Sequence, residues 1–91
     1  MEKSLFSGGY KVFLSHLRAT RKEAGFTQTE LAKRLRETQS FVSKCERGER
    51  RLDLIEARAF CRAMDVSFLE FTTILDHELE RRGSKQVRPK A

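Results

Sequence analysis

Apolar residues along this chain recur three and four positions apart, and glycines stand where one stripe gives way to the next. Val12, Phe13, Leu17 and Ala24 predict a helix from about Tyr10 to Ala24. Gly8 and Gly9 precede it, and Gly25 closes it as a left-handed residue at no steric cost. Thr27 with Glu30 three residues later is a capping box. Leu31, Ala32 and Leu35 then predict a second helix to about Arg36. Thr38 caps a third helix with Phe41, Val42 and Cys45 inside, ending near Arg47-Gly48. Leu52 and Asp53 open a fourth, whose stripe is Ile55, Ala59, Phe60, Ala63 and Met64. Ser67 caps a fifth with Leu69, Phe71, Ile74, Leu75 and Leu79, closed by Gly83. No segment alternates with period two long enough to make a strand. The pattern predicts an all-α fold, a compact five-helix bundle with short connections.

Composition narrows the function. At 91 residues the chain has room for one small domain, and 38% apolar residues suffice for a single core but not for a deep enzyme cleft. The net charge of +6 suits a nucleic acid or an anionic membrane, and suits many solvated surfaces as well. Its distribution says more. Residues 11–51 carry a balance of +6, whereas residues 65–80 carry five acids and no Lys or Arg. A basic half and an acidic half imply two faces with different partners. No apolar run reaches signal-peptide or membrane-span length, so the expected location is cytoplasmic, with no membrane partner. The expected division is a flexible N-terminal segment over 1–9, a folded domain over 10–80, and a basic, disordered tail over 81–91. That tail holds five Lys/Arg and no acid, and would add non-specific attraction to phosphates.

Residues 27–48 read TQTELAKRLRETQSFVSKCERG. They describe two short helices joined by a tight turn at Leu35-Arg36-Glu37-Thr38, with small Ala32 on the inner face where the helices cross. The outer face of the second helix carries Gln39, Ser40, Ser43, Lys44 and Arg47, all hydrogen-bond donors, and no acid before Glu46. A short helix of that character is what the major groove of DNA accepts.

The run Gln28-Thr29-Glu30-Leu31-Ala32, then Thr38-Gln39-Ser40-Phe41-Val42-Ser43-Lys44, then Glu46-Arg47-Gly48 resembles the phage repressor/Cro family of helix-turn-helix proteins, also called XRE-type regulators. Arg21-Lys22-Glu23-Ala24-Gly25-Phe26 upstream and Arg51-Leu52-Asp53-Leu54 downstream extend the resemblance over about residues 10–79. It implies a lambda-repressor-like DNA-binding fold and a sequence-specific regulator of transcription, a repressor, whose partner is double-stranded DNA. By the same resemblance Gln39, Ser40 and Lys44 would read base edges. Gln28, Thr38, Ser43, Arg47, Arg50 and Arg51 would contact phosphates. Arg21 and Glu46 would form a structural ion pair between the first and third helices. Two positions depart from the family pattern. Arg36 stands where glycine is usual, so either it takes a left-handed backbone at a strain of roughly 1 kcal/mol or the turn differs in shape. Glu37 replaces an apolar residue and brings an acid to the start of the recognition helix, where it suits the dipole but opposes phosphate.

The remaining candidates read as structural. Cys45 and Cys61 lie on apolar stripes and are expected as buried thiols. His16 and His77 lack ligand spacing, so no metal is expected. No nucleophile and base are suitably spaced, so the chain is read as a non-enzyme without cofactor or small-molecule ligand. Phe68, Leu69, Phe71, Ile74 and Leu75 are more apolar surface than one short helix buries alone, which predicts a homodimer through the C-terminal helix region. An alternative reading makes the acidic C-terminal half the partner surface of an antitoxin or adaptor-type interaction module.

Overall fold

The structure is a computed structural model that describes residues 3–82, with side chains from Gly8 onward. Five helices follow one another: α1 (Lys3–Glu23), α2 (Gln28–Leu35), α3 (Gln39–Glu46), α4 (Leu54–Ala63) and α5 (Phe68–Arg81). No strand occurs among the described residues. The all-α helix-turn-helix bundle expected from the periodicity is the fold observed.

One closure is used at four helix ends. Gly25, Arg36, Gly48 and Asp65 take left-handed backbones at φ 86°, 61°, 82° and 61°. In each case the next amide donates back five residues: Phe26 to the Arg21 carbonyl, Glu37 to Ala32, Glu49 to Lys44 and Val66 to Cys61, all between 2.9 and 3.1 Å. This satisfies carbonyls that a helix end otherwise leaves orphaned. Arg36 therefore keeps the turn geometry usual for glycine and carries the strain itself. Three of the stops are followed two residues later by a start: Thr27, Thr38 and Ser67 accept from the third helical amide of α2, α3 and α5 at 3.0, 3.0 and 3.1 Å. Asp53 caps α4 in the same way at 2.7 Å, and Thr27–Glu30 and Asp53–Glu56 are full capping boxes.

The core gathers Leu17, Leu31, Ala32, Val42, Cys45, Phe60, Cys61, Met64 and Phe71, each at most 2% exposed, with Leu52 from the loop before α4 at 8%. Phe71 from α5 meets Phe13 edge-on and stacks on His16 of α1, which fastens the last helix to the first.

The sequence reading is corrected at four places. Helix α1 begins at Lys3 rather than near Tyr10, and Gly8 and Gly9 lie inside it instead of ahead of it. Neither takes a positive φ, and a methyl group on Gly8 would meet nothing within 4 Å, so the helix runs through them without a break. Ala24 is exposed, whereas Leu14, absent from the expected stripe, is buried. In α4, packing turns Ala57, Phe60, Cys61 and Met64 inward and leaves Ile55 70% exposed and Ala59 outside. In α5, Leu69 and Ile74 face solvent, while Phe71 is core and Phe68 and Leu75 pack against it. Gly83 and the tail beyond it lie outside the described residues.

Replacing Arg36 with glycine removes a left-handed strain of about 1–2 kcal/mol at an entropic cost of about 0.5–1 kcal/mol. The Arg36→Gly variant is expected to gain about 0.5–1 kcal/mol, read as a rise of a few degrees in the thermal midpoint. An unchanged or lowered midpoint would show that the turn is unstrained.

Candidate nucleic-acid interface

Helices α2 and α3 cross with buried Ala32 and Val42 on their inner faces, and the cross presents the outer face of α3 to solvent. Gln39, Ser40, Lys44 and Arg47 are exposed and Ser43 is half-exposed. The acid that ends the helix, Glu46, points the other way and is 2% exposed. The outward surface of α3 therefore bears donors alone.

Glu46 is held in a bidentate pair with Arg21, which is itself 7% exposed: Arg21 Nε donates to Oε2 at 2.6 Å and Nη2 to Oε1 at 3.1 Å. Arg21 Nη1 also donates to the Phe26 carbonyl at 2.9 Å, just past the left-handed turn at Gly25. Two charges can stay in such an interior only if the geometry is close and the remaining polar atoms are satisfied. Both conditions hold here, and no buried side-chain polar atom lacks a partner among the described residues.

The pair extends outward to the exposed face of α3. Gln28, the first residue of α2, donates its amide to Glu46 Oε1 at 2.9 Å and accepts from Gln39 Nε2 at 2.7 Å. An unbroken chain of hydrogen bonds runs Arg21, Glu46, Gln28, Gln39. The Gln39 amide keeps its oxygen and one N–H outside that chain, in the arrangement that pairs with the N6/N7 edge of adenine. Gln28 keeps one N–H as well, beside the first amides of α2, where the helix dipole favours an anion.

The arginines after α3 have their own partners. Arg47 hydrogen-bonds to Ser43 and pairs with Glu49 at 3.0 Å. Arg50 forks onto both Glu56 oxygens at 3.0 and 2.9 Å and lies over the Phe41 ring, 5.0 Å from its centre. The Arg50 guanidinium holds the Glu56 carboxyl below the usual carboxylate range, and Arg47 does the same to Glu49. Arg51 stacks 4.1 Å over Tyr10, whose hydroxyl accepts from the Leu52 amide at 3.0 Å. The loop 49–52 is thereby tied to α1, α3 and α4 together. Arg47 is forked in the same way, with Nε and Nη2 on the two Glu49 oxygens at 3.0 and 3.2 Å, so both arginines carry an exposed carboxylate partner.

Sequence reasoning missed these braces. It also missed Arg34 of α2, which donates to the Ala63 carbonyl at 3.0 Å and pairs with Asp65 at 3.1 Å, closing the end of α4. Neither the capping box at Asp53 nor Arg50 as the other partner of Glu56 was read from the sequence. Cys45 and Cys61 are fully buried, and burial pushes the Cys61 thiol up to about 11 and raises that of Cys45. A protonated thiol is a poor nucleophile, so both behave as small hydrophobes. Among the described residues no group of three or more His, Cys, Asp or Glu could hold a metal ion, and no helix is long and apolar enough to cross a membrane.

A donor-faced helix set across a capped partner by a left-handed turn defines a helix-turn-helix DNA-binding unit. The profile of the helix-turn-helix family HTH_3 matches residues 17–71. The chain is similar in structure to an XRE-family like protein from Pseudomonas syringae pv. tomato str. DC3000, with a TM-score of 0.78 and 42% identity over 84% of this chain and 93% of that one. No curated protein matches it. The chain belongs to the XRE-type helix-turn-helix family, and its fold is that of DNA-binding transcription regulators, a class typically without catalytic activity.

Removing one partner of the buried pair isolates the other charge, at a cost of about 3–5 kcal/mol, whereas replacing both with apolar residues is far milder. In urea unfolding, Glu46→Leu is expected to lose stability in that range and the double variant Arg21→Met/Glu46→Leu to regain most of it. A single variant no worse than the double would mean that the two charges are not coupled.

Proposed function

We propose that the chain is a sequence-specific transcriptional regulator that represses by occupying duplex DNA as a homodimer. The observation that carries this reading is the outer face of α3, exposed, acid-free and anchored at its first residue by Gln28. Gln39, Ser40 and Lys44 read base edges on that face. Gln28, Thr38, Ser43, Arg47, Arg50 and Arg51 hold the sugar-phosphate strands on either side. Arg50 also braces the loop through its fork on Glu56. Repression needs no contact beyond the duplex, because occupancy of a promoter excludes other proteins. Leu69 and Ile74 on α5, with Leu54 and Ile55 at the start of α4, are large apolar side chains left in solvent and favour a second copy as their cover. Two-fold symmetry would set the two α3 helices about 34 Å apart, one turn of DNA.

Selection of bound sequences from random duplexes is expected to yield a palindrome with half-sites one helical turn apart. On that site Gln39→Ala should weaken binding by about 1–3 kcal/mol and relax the preference at one base position per half-site. Enrichment of no sequence, or an equal loss on every duplex, would overturn sequence-specific reading by α3. Enrichment of a single half-site by a monomeric chain would remove the homodimer alone. It would then favour a different protein, as in an antitoxin or adaptor, as cover for the acidic half.

A further inference from the structure

Along α1, Lys11, Ser15, Arg18 and Lys22 are spaced by four, three and four residues, which sets them in one row on the helix surface. All four are exposed, and the row contains no acid. Opposite its first half stands the C-terminal end of α3. Between them lies an open groove of about 360 Å³ lined by Lys11, Leu14, Ser15, Arg18, Glu46 and Arg47. Glu46 is the one acid in that lining. Its side chain is 1% exposed, and its oxygens are taken by Arg21, Gln28 and, at 3.7 Å, Arg18, so with Glu46 neutralised the cations set the sign of the groove. Arg18 is fixed there by donating Nη2 to the Glu46 carbonyl at 3.3 Å. Lys11 and Lys22 form no ion pair among the described residues. The Arg47–Glu49 pair is half-exposed on both sides, and such a pair yields readily to another anion. Arg47 also sits on the outer face of α3 one turn after Ser43, so the groove continues the surface assigned to DNA.

We infer that α1 carries a second phosphate-binding surface. The groove and the lysine row hold the sugar-phosphate backbone of the same duplex, flanking the bases that α3 reads. The row from Lys11 to Lys22 is about 16 Å long, enough to face several successive phosphates. The inference rests on the DNA-binding reading above and adds the part of the duplex beyond the half-site.

The test is the double variant Lys11→Gln/Lys22→Gln in the full chain, titrated against the selected duplex and an unrelated one over a salt series. Both side chains are exposed and unpaired, so the thermal midpoint should not move. Affinity should fall by the same factor on both duplexes, with base preference intact. The slope of log affinity against log salt should become shallower by roughly 2, at roughly 0.9 per phosphate. On a duplex trimmed to the bases under α3, variant and wild type should bind alike. An unchanged slope would overturn the inference while leaving the Gln39 result standing. Failure of the wild type to bind any duplex would instead sink the reading beneath it. Inorganic phosphate should compete no better than chloride at equal ionic strength. Competition by phosphate that the variant loses would assign the groove to a free anion and overturn its assignment to the duplex.

Discussion

The buried pair of Arg21 and Glu46 is the constraint on which the rest of this molecule depends. Each ion gives up several kcal/mol of hydration on entering the interior, and that loss is tolerable only in one arrangement. Arg21 must face α3 with both nitrogens, the Phe26 carbonyl must sit at its third, and Gln28 must fill the free lone pairs of Glu46. An apolar contact would allow the helices to slide by fractions of a turn. A bidentate charge pair does not, because any shift leaves an uncompensated charge. The angle between α1 and the helix-turn-helix is therefore set by electrostatics, and the position of Gln39 follows from it through two hydrogen bonds.

The far side of α3 is fixed by a different means. Arg50 lies on Phe41, clasps Glu56 and donates to the Arg51 carbonyl, while Arg51 rests on Tyr10. An eight-residue helix has almost no stability of its own, so α3 is ordered by these neighbours together with the Thr38 cap, the Arg21–Glu46 pair, and Val42 and Cys45 in the core. The helix is thus presented ready-formed. Little ordering entropy remains to be lost on binding, which leaves more of the contact energy to appear as affinity.

What was legible in the sequence is what local chemistry decides. Thr27, Thr38 and Ser67 are caps because a short hydroxyl ahead of a helical stripe has little else to do. Gly25 is a left-handed stop because glycine alone adopts that backbone freely. The phase of α4 was legible only in part: Phe60 and Met64 read as inward, but Ile55 and Ala59 fit the spacing as well as Ala57 and Cys61, and only packing chooses between them. The start of α1 failed for the converse reason, since two glycines read as a break although nothing there requires a positive φ. At the site, the outer face of α3 could be read from spacing. The partners of Gln28, Arg47 and Arg50 could not, because long polar side chains choose acceptors by tertiary proximity.

The recurring stop at Gly25, Arg36 and Asp65, each followed two residues later by a cap, bears on how the chain reaches its native state. The direction change between α1 and α2, α2 and α3, and α4 and α5 is encoded by half a dozen adjacent residues and needs no distant segment to form. Such low contact order belongs to chains that fold in microseconds to milliseconds. A nascent copy would spend little time with its apolar faces open to aggregation.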